Sequence, residues 1–260
     1  KVVFTGLVKG DTLMVSAEGT FADRNAAKGK TVTITNLILS GVSADNYVLA
    51  ANGQQTSTTA DINPKEITVA ITPNGGTYEG AIIPANAALN GLVGEDKPEI
   101  TLTYIGKAND GTEVSGTATP VLAGTYTVTA SITDSNYNLK AEGTTAEFVV
   151  TKATPGLSAA AVSDKSYGEG AFKLGVSNKG DGSKSYASSN DKVVTVDETG
   201  TVTIVGAGTA TLTVSLAESA NYTADRKAVT VTVAPKAITA TADNLKKIVG
   251  GADPVLTYTA

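Results

Sequence analysis

The chain has 260 residues, with 20 Lys and Arg against 25 Asp and Glu, and it contains no Cys, His or Trp. This composition excludes disulfides, cysteine-based metal sites, thiol nucleophiles, the Ser-His-Asp triad and imidazole ligands. The net charge is −5 and charges of both signs are mixed along the chain, so the sequence shows no basic surface for binding nucleic acid. No run reaches the ~18 apolar residues of a membrane helix, so we expect no membrane insertion here.

A short asparagine–tyrosine marker recurs along the chain. It contains Asn46-Tyr47, Asn136-Tyr137 and Asn221-Tyr222, and the asparagines lie 90 and 85 residues apart. Each marker is followed by a junction with Pro or Lys, at residues 62–65, 151–155 and 234–236. A period of this length is too long for a solenoid repeat and suits a small independent domain.

These junctions predict four units in chain order. Residues 1–63 form the later part of one unit, 64–152 and 153–235 form two complete units, and 236–260 begin a fourth and stop within a strand at 256–260. The opening Lys65-Glu66-Ile67-Thr68 is matched by Lys236-Ala237-Ile238-Thr239. Since the chain starts without Met or a signal segment, we interpret it as an internal fragment.

Within the units, the dominant pattern is apolar alternation with period two. It occurs at 31–35, 125–129, 201–204, 209–214 and 229–233, and in each case threonine occupies the other face. Threonine is unusually common, with 39 residues. The pattern predicts antiparallel strands with one solvated face. Turn pairs such as Asp110-Gly111 and Thr199-Gly200 separate the strands.

Helical candidates are weak. Asp23 is placed to cap a turn over 24–27, and residues 85–89 favour a second short turn. The second candidate leaves open a grasp-like alternative, a short helix on a sheet, for the unit 64–152. The main expectation is an all-β chain of tandem immunoglobulin-like β-sandwich domains in an elongated arrangement.

The residues of the third unit resemble a known family. Residues 186–215 contain Ser188-Ser189-Asn190, Thr195-Val196-Asp197 and Gly206-Ala207-Gly208-Thr209-Ala210, a pattern similar to the group 2 bacterial immunoglobulin-like domain of surface adhesins. Residues 1–63 resemble a YDG-type repeat. Residues 64–152 and 236–260 resemble MBG-type repeats through the Lys-x-Ile-Thr opening, Pro98 to Tyr104 and Pro254 to Tyr258. The resemblance implies tandem domains of large bacterial cell-surface proteins and no catalytic residues.

The recurrent tyrosines are interpreted as structural. In immunoglobulin-like sandwiches, such a ring packs inside while its hydroxyl bonds upstream backbone. The alternative is sugar stacking, which requires exposed rings. Tyr78, Tyr167 and Tyr186 are the tyrosines that these core-like motifs leave for an aromatic platform.

Other chemistries find less support. The Gly206–Gly208 stretch lacks the third glycine of a dinucleotide fingerprint and precedes a strand. Acidic residues with neighbouring Asn, at Asp61 and Asp134, do not form a calcium loop. No Lys–Asn pair is favoured for an isopeptide. A glycosidase dyad would have to come from the carboxylates Glu79, Glu95, Asp96 and Glu99, in a sequence poor in aromatics.

The predicted function is a non-catalytic stalk, spacer or adhesive segment of a bacterial surface protein, located outside the cell. The alternative is a carbohydrate- or protein-binding module. Its expected partners are an unidentified host or bacterial surface ligand, protein or glycan, and neighbouring repeats of the same chain. No cofactor or metal is expected. A further hypothesis is that residues 236–260 lend strands to the unit 1–63 of another copy.

Overall fold

The computed structural model describes residues 2–80 and 82–257. In this part of the chain the regular structure is β-strand, apart from one 3-10 turn at Ala44–Asn46. The strands form three successive groups of sheets. The prediction of an all-β, immunoglobulin-like sandwich chain is confirmed.

The first group is one antiparallel sheet of three strands. It contains β1 (Met14–Phe21), β2 (Ala27–Ser40) and β3 (Ser57–Ile62), with β2 in the centre. The predicted helical turn over 24–27 is wrong, because Ala27 already begins β2. The Asp23 carboxylate instead accepts the Asn25 N–H (2.8 Å) and binds Lys30, which stabilises a bend.

The second group is a sandwich of two sheets. One has the order β10-β4-β6 and the other β5-β11-β9-β7-β8. The strands are β4 (Lys65–Thr72), β5 (Gly76–Thr77), β6 (Asn86–Asn90), β7 (Ile100–Ala108), β8 (Glu113–Gly116), β9 (Gly124–Ile132), β10 (Tyr137–Leu139) and β11 (Thr145–Thr151).

The predicted short turn at 85–89 is wrong, and with it the grasp-like alternative. Residues 86–90 form β6, which pairs antiparallel with β4 through Ala70 opposite Ala88. Ala87 and Leu89 are half-buried, whereas their neighbours are exposed. The local preference of alanine for helix is overridden by this cross-strand pairing.

The third group contains sheets of two, four and three strands. Their orders are β12-β15, β13-β20-β19-β16 and β14-β18-β17. The strands are β12 (Ser158–Ala159), β13 (Lys165–Ser166), β14 (Phe172–Lys173), β15 (Val176–Ser177), β16 (Lys184–Ser188), β17 (Val194–Val196), β18 (Thr201–Ile204), β19 (Gly208–Leu216) and β20 (Asp225–Ala234).

The cores differ in depth between the groups. The second group buries an aromatic cluster around Tyr104, Tyr126 and Phe148. The third group buries an aliphatic cluster that includes Val202, Leu212 and the inward residues of β20. In residues 2–63, by contrast, Val32 is the one buried apolar side chain among those described. The alternating segments predicted from sequence are strands, with their apolar residues turned inward.

Residues 236–257 contain no named strand, so the described part of the strand predicted at 256–260, residues 256 and 257, is not in a strand. Ile238 is exposed, whereas its counterpart Ile67 is buried within β4. The difference lies in pairing, since β6 and β10 flank β4 on both sides. Tyr258 and the rest of 258–260 lie outside the described residues.

Candidate functional site

The second and third asparagine–tyrosine markers occupy equivalent places in their groups, and the first follows a turn. Tyr137 begins β10, Tyr222 bridges to Ala153, and Tyr47 follows the 3-10 turn. Tyr137 and Tyr222 are 4% and 5% exposed, and Tyr47 is half-buried. The structural interpretation of these rings is therefore confirmed.

Two of the hydroxyls share one set of contacts that the sequence analysis missed. The Val8 N–H donates to Tyr47 Oη (3.0 Å), which donates to Asp11 Oδ2 (2.7 Å). In the second group the Val93 N–H donates to Tyr137 Oη (3.1 Å), and that hydroxyl donates to Asp96.

The signal for this contact was present in the sequence. Leu7-Val8-Lys9-Gly10-Asp11 and Leu92-Val93-Gly94-Glu95-Asp96 share the pattern Leu-Val-x-x-Asp. In both, the aspartate N–H donates to the valine carbonyl, at 3.1 and 3.2 Å, and closes a turn. Donation to a carboxylate raises the pKa of the Tyr47 and Tyr137 hydroxyls.

The third tyrosine finds its carboxylate in the preceding group. The Tyr222 hydroxyl faces the Glu79 carboxylate, which raises the pKa of Tyr222 to about 12. The ring also packs edge-on against Tyr78, with centroids 5.3 Å apart. Glu79 has φ +59°, a conformation that non-glycine residues seldom adopt. The marker of the third group thus contacts the group before it.

The asparagines of the second and third markers also reach into the preceding group. At the first junction, the Ala26 N–H donates to Asn136 Oδ1 (2.7 Å), and Arg24 forms an ion pair with Asp96. At the second junction, the Ala123 N–H donates to Asn221 Oδ1 (3.0 Å). Both junctions therefore contain a hydrogen bond between a backbone N–H of one group and an asparagine side chain of the next.

Further contacts close the second junction. Asn109 Nδ2 donates to the Ala220 carbonyl (3.1 Å). Lys152 forms an ion pair with Glu218 and donates to the Ser219 carbonyl (2.7 Å). The first junction encloses a small crevice of about 150 Å³, lined by Arg24 and Asp96 among others.

We expect the first junction to weaken in acid. The Tyr137 hydroxyl and then Arg24 stabilise the ionised form of Asp96, so the pKa of Asp96 lies below its usual ~3.9. A depressed pKa contributes stability above the unfolded-state pKa, and this contribution is lost as pH falls through the folded-state value. Between about pH 5 and pH 2, the urea midpoint of Asp96→Asn should therefore fall less than that of the wild type.

The matched control for this titration is Glu95→Gln, which removes the adjacent exposed carboxylate. Its urea midpoint should follow the wild-type curve. The pKa values of Asp23, Asp110 and Asp197 are also lowered, by hydrogen bonds to their carboxylates, so the Asp96 variant keeps part of the pH dependence. An Asp96→Asn curve parallel to the wild type would contradict the expectation.

An open cleft lies in the first group. It has a volume of about 700 Å³. Apolar side chains of β1 and β2 form its floor, and Phe4, Tyr47, Gln54 and Gln55 lie around it. This cleft corresponds to the shallow core of residues 2–63.

The tyrosines predicted as a sugar platform do not come together. Tyr78 packs on Tyr222, and Tyr186 packs against the core of the third group. Tyr167 is 49% exposed. Of these three rings, Tyr167 alone presents an open face.

The acidic candidates are engaged locally. Asp61 Oδ1 accepts the Gly29 N–H (2.7 Å), and Asp134 Oδ1 accepts the Asn136 N–H (2.8 Å). Among residues 2–80 and 82–257, no group of three acidic side chains is placed to hold a metal ion. An isopeptide site would require buried polar or charged residues, and this part of the chain contains none. No helix there is long and apolar enough to cross a membrane.

Two segments match known domain families. Residues 1–59 match the model of the YDG domain, and residues 167–218 match the model of the intimin immunoglobulin-like domain. These matches agree with the predicted bacterial immunoglobulin-like surface repeats. The predicted location outside the cell, on the bacterial surface, agrees with the match to the intimin domain. The predicted YDG and bacterial immunoglobulin-like resemblances are thereby confirmed, while the group 2 subtype and the MBG-type repeats stay predictions.

No curated protein matches the chain. Among solved structures, it is similar to domains 1–6 of the surface layer protein SbsC, with 16% identity, 91% of this chain and 37% of that chain covered, and a TM-score of 0.29. It is also similar to Drosophila N-cadherin EC1-3, with 10% identity, 91% and 93% covered, and a TM-score of 0.26.

A third similar structure is a SusE-like surface located polysaccharide binding protein from Bacteroides thetaiotaomicron. The identity is 13%, the coverage is 90% of this chain and 38% of that chain, and the TM-score is 0.25. The chain thus spans little more than a third of the SbsC and SusE-like structures. Its function is inferred from its own residues and from the two family models.

Proposed function

We propose that this chain is a non-catalytic stalk or adhesive segment of a large bacterial surface protein. It comprises a partial YDG-like unit (1–63), an MBG-like sandwich (64–152), an immunoglobulin-like sandwich (153–235) and the start of a further MBG-like unit (236–260). The observation that carries the proposal is the pair of junctions, in which each marker contacts the group before it.

The exposed area supports an extended arrangement. The accessible surface is 17035 Å², against about 10,600 Å² for a compact protein of 26.2 kDa. Even a fully exposed stretch as long as residues 236–257 contributes only about 3,200 Å². The surplus therefore includes surface that separate sandwiches leave uncovered.

Small-angle scattering on the full chain tests this arrangement. A compact globule of this length has a radius of gyration of about 18 Å. Three sandwiches end to end, each on the order of 40 Å long, give roughly 35 Å. We expect the larger value. A value near the smaller one would contradict the stalk.

The cleft of the first group favours a second candidate, a module that binds a glycan or protein ligand of a cell surface. Its volume and its mixture of Phe4 with Gln54 and Gln55 suit a small ligand. Screening the full chain on an array of defined glycans tests this function. Binding that Phe4→Ala and Gln55→Ala abolish would support it, and binding that survives both variants would oppose it.

A further inference from the structure

The two junctions use one recognition element. In each, the side-chain oxygen of the marker asparagine accepts a hydrogen bond from the backbone N–H of an alanine in the preceding group. The pairs are Asn136 with Ala26 and Asn221 with Ala123. The surrounding contacts differ, since Arg24–Asp96 closes the first junction and Lys152–Glu218 the second. The shared element is therefore the asparagine–amide contact.

The two alanines occupy the same topological position. Ala26 immediately precedes β2, and Ala123 immediately precedes β9. Both strands are interior strands of their sheets. In the third group, Ala207 likewise immediately precedes the interior strand β19. We call this position the strand entrance.

The marker of the first group also contains an asparagine, Asn46, but within the described part of the chain it makes no hydrogen bond to a strand entrance. Asn46 is exposed, whereas Asn136 and Asn221 are half-buried at their junctions. Beside it, Val42 and Val48 are 96% and 92% exposed. Tyr47 is also less buried than Tyr137 and Tyr222. Burial of the marker thus accompanies docking.

We propose that the asparagine–tyrosine loop of each unit is a docking surface for the unit before it, and that the asparagine fixes their relative orientation by binding the strand entrance. The partner that this surface fits is a bacterial immunoglobulin-like repeat with an available N–H at its strand entrance. A small interface alone leaves domains mobile, so a directional hydrogen bond sets the angle. Such docking serves a spacer and a binding module alike.

Distance measurements between spin labels test the docking. Because the chain has no cysteine, two introduced cysteines are labelled specifically. The exposed pair Thr117 and Glu198 reports on the second junction, and the exposed pair Thr58 and Glu147 reports on the first. In the wild type, both distance distributions should be narrow.

Asn221→Ala should broaden the second distribution to at least about twice its width, since relative domain motion is the default without a specific contact. It should leave the first distribution unchanged. Asn136→Ala should do the reverse. Asn46→Ala is the matched control, and it should change neither distribution.

Asn221→Asp keeps the acceptor oxygen, so it should keep the second distribution narrow. This variant separates loss of docking from loss of folding, and unchanged circular dichroism of Asn221→Ala provides a second check. A narrow distribution in Asn221→Ala would overturn the proposal, as would broadening of both distributions by Asn46→Ala.

Discussion

Tyr126→Ala is expected to lower the free energy of unfolding of the second sandwich by about 4 kcal/mol. Tyr126 is 1% exposed and lies in β9, the middle strand of its five-stranded sheet. Its ring packs against Phe148, with centroids 5.6 Å apart, and its hydroxyl donates to the Leu122 carbonyl (2.9 Å). Truncation removes the ring and leaves a cavity between the two sheets.

Backbone geometry makes this cavity hard to close. A Cβ at Gly106 would lie 2.8 Å from the Tyr126 Cδ1, and one at Gly124 would lie 2.9 Å from the Tyr126 Oη. The backbone at these two glycines therefore lies directly against the Tyr126 side chain. The glycines have no side chain that could move into the cavity left by Tyr126→Ala. The loss should be near the upper part of the range for large-to-small core substitutions.

Urea unfolding followed by tyrosine fluorescence and circular dichroism would measure this loss. Thr125→Ala is the control, because Thr125 is the exposed neighbour on the same strand. We expect it to change stability by less than about 0.5 kcal/mol. Equal effects of the two substitutions would show that the aromatic cluster is not the core of this sandwich.

Gly182→Ala is expected to destabilise the third sandwich by about 3 kcal/mol. A Cβ at Gly182 would lie 1.9 Å from the Ala217 carbonyl oxygen, a backbone atom that a rotamer change cannot move. The neighbouring Ala217 N–H donates to the Ser183 carbonyl (2.9 Å), where β16 meets the end of β19. Relief of the clash must therefore separate this strand pair.

Gly170→Ala is the matched control for that substitution. It lies in the same unit, and a Cβ there would meet no atom within 4 Å. Thermal unfolding should show a lower melting temperature for the third sandwich in Gly182→Ala and none in Gly170→Ala. A melting temperature unchanged by Gly182→Ala would mean that the two strands do not approach as described.

The strands were predictable because alternation and turn chemistry are local. The alternation of threonine, which faces outward, with Val, Leu or Tyr, which face inward, identifies β9, β19 and β20 from sequence alone. Gly111 and Gly200 both adopt the positive φ that their turns require, +91° and +79°. These features depend on neighbours within a few residues.

The failures involve partners distant in sequence. Residues 85–89 resemble a helical turn until β4 pairs with them. Residues 236–239 match the opening of β4 in sequence but lack the flanking strands that hold β4. The aspartate partners of Tyr47 and Tyr137 lie 36 and 41 residues upstream. The spacing of the markers showed the length of the repeat. The contact from Asn136 to Ala26 could be found only from the three-dimensional positions of the first two units.

The acceptor asparagine binds a main-chain amide, and this choice has an evolutionary consequence. Every residue except proline supplies that amide, so the receiving unit can change its side chains at the strand entrance without losing the contact. Units that keep the marker can then be duplicated, deleted or reordered by recombination, and each new neighbour fits at once. On the proposed docking, the length of the array and its outer surface can change while the asparagine–amide contact at each junction stays the same.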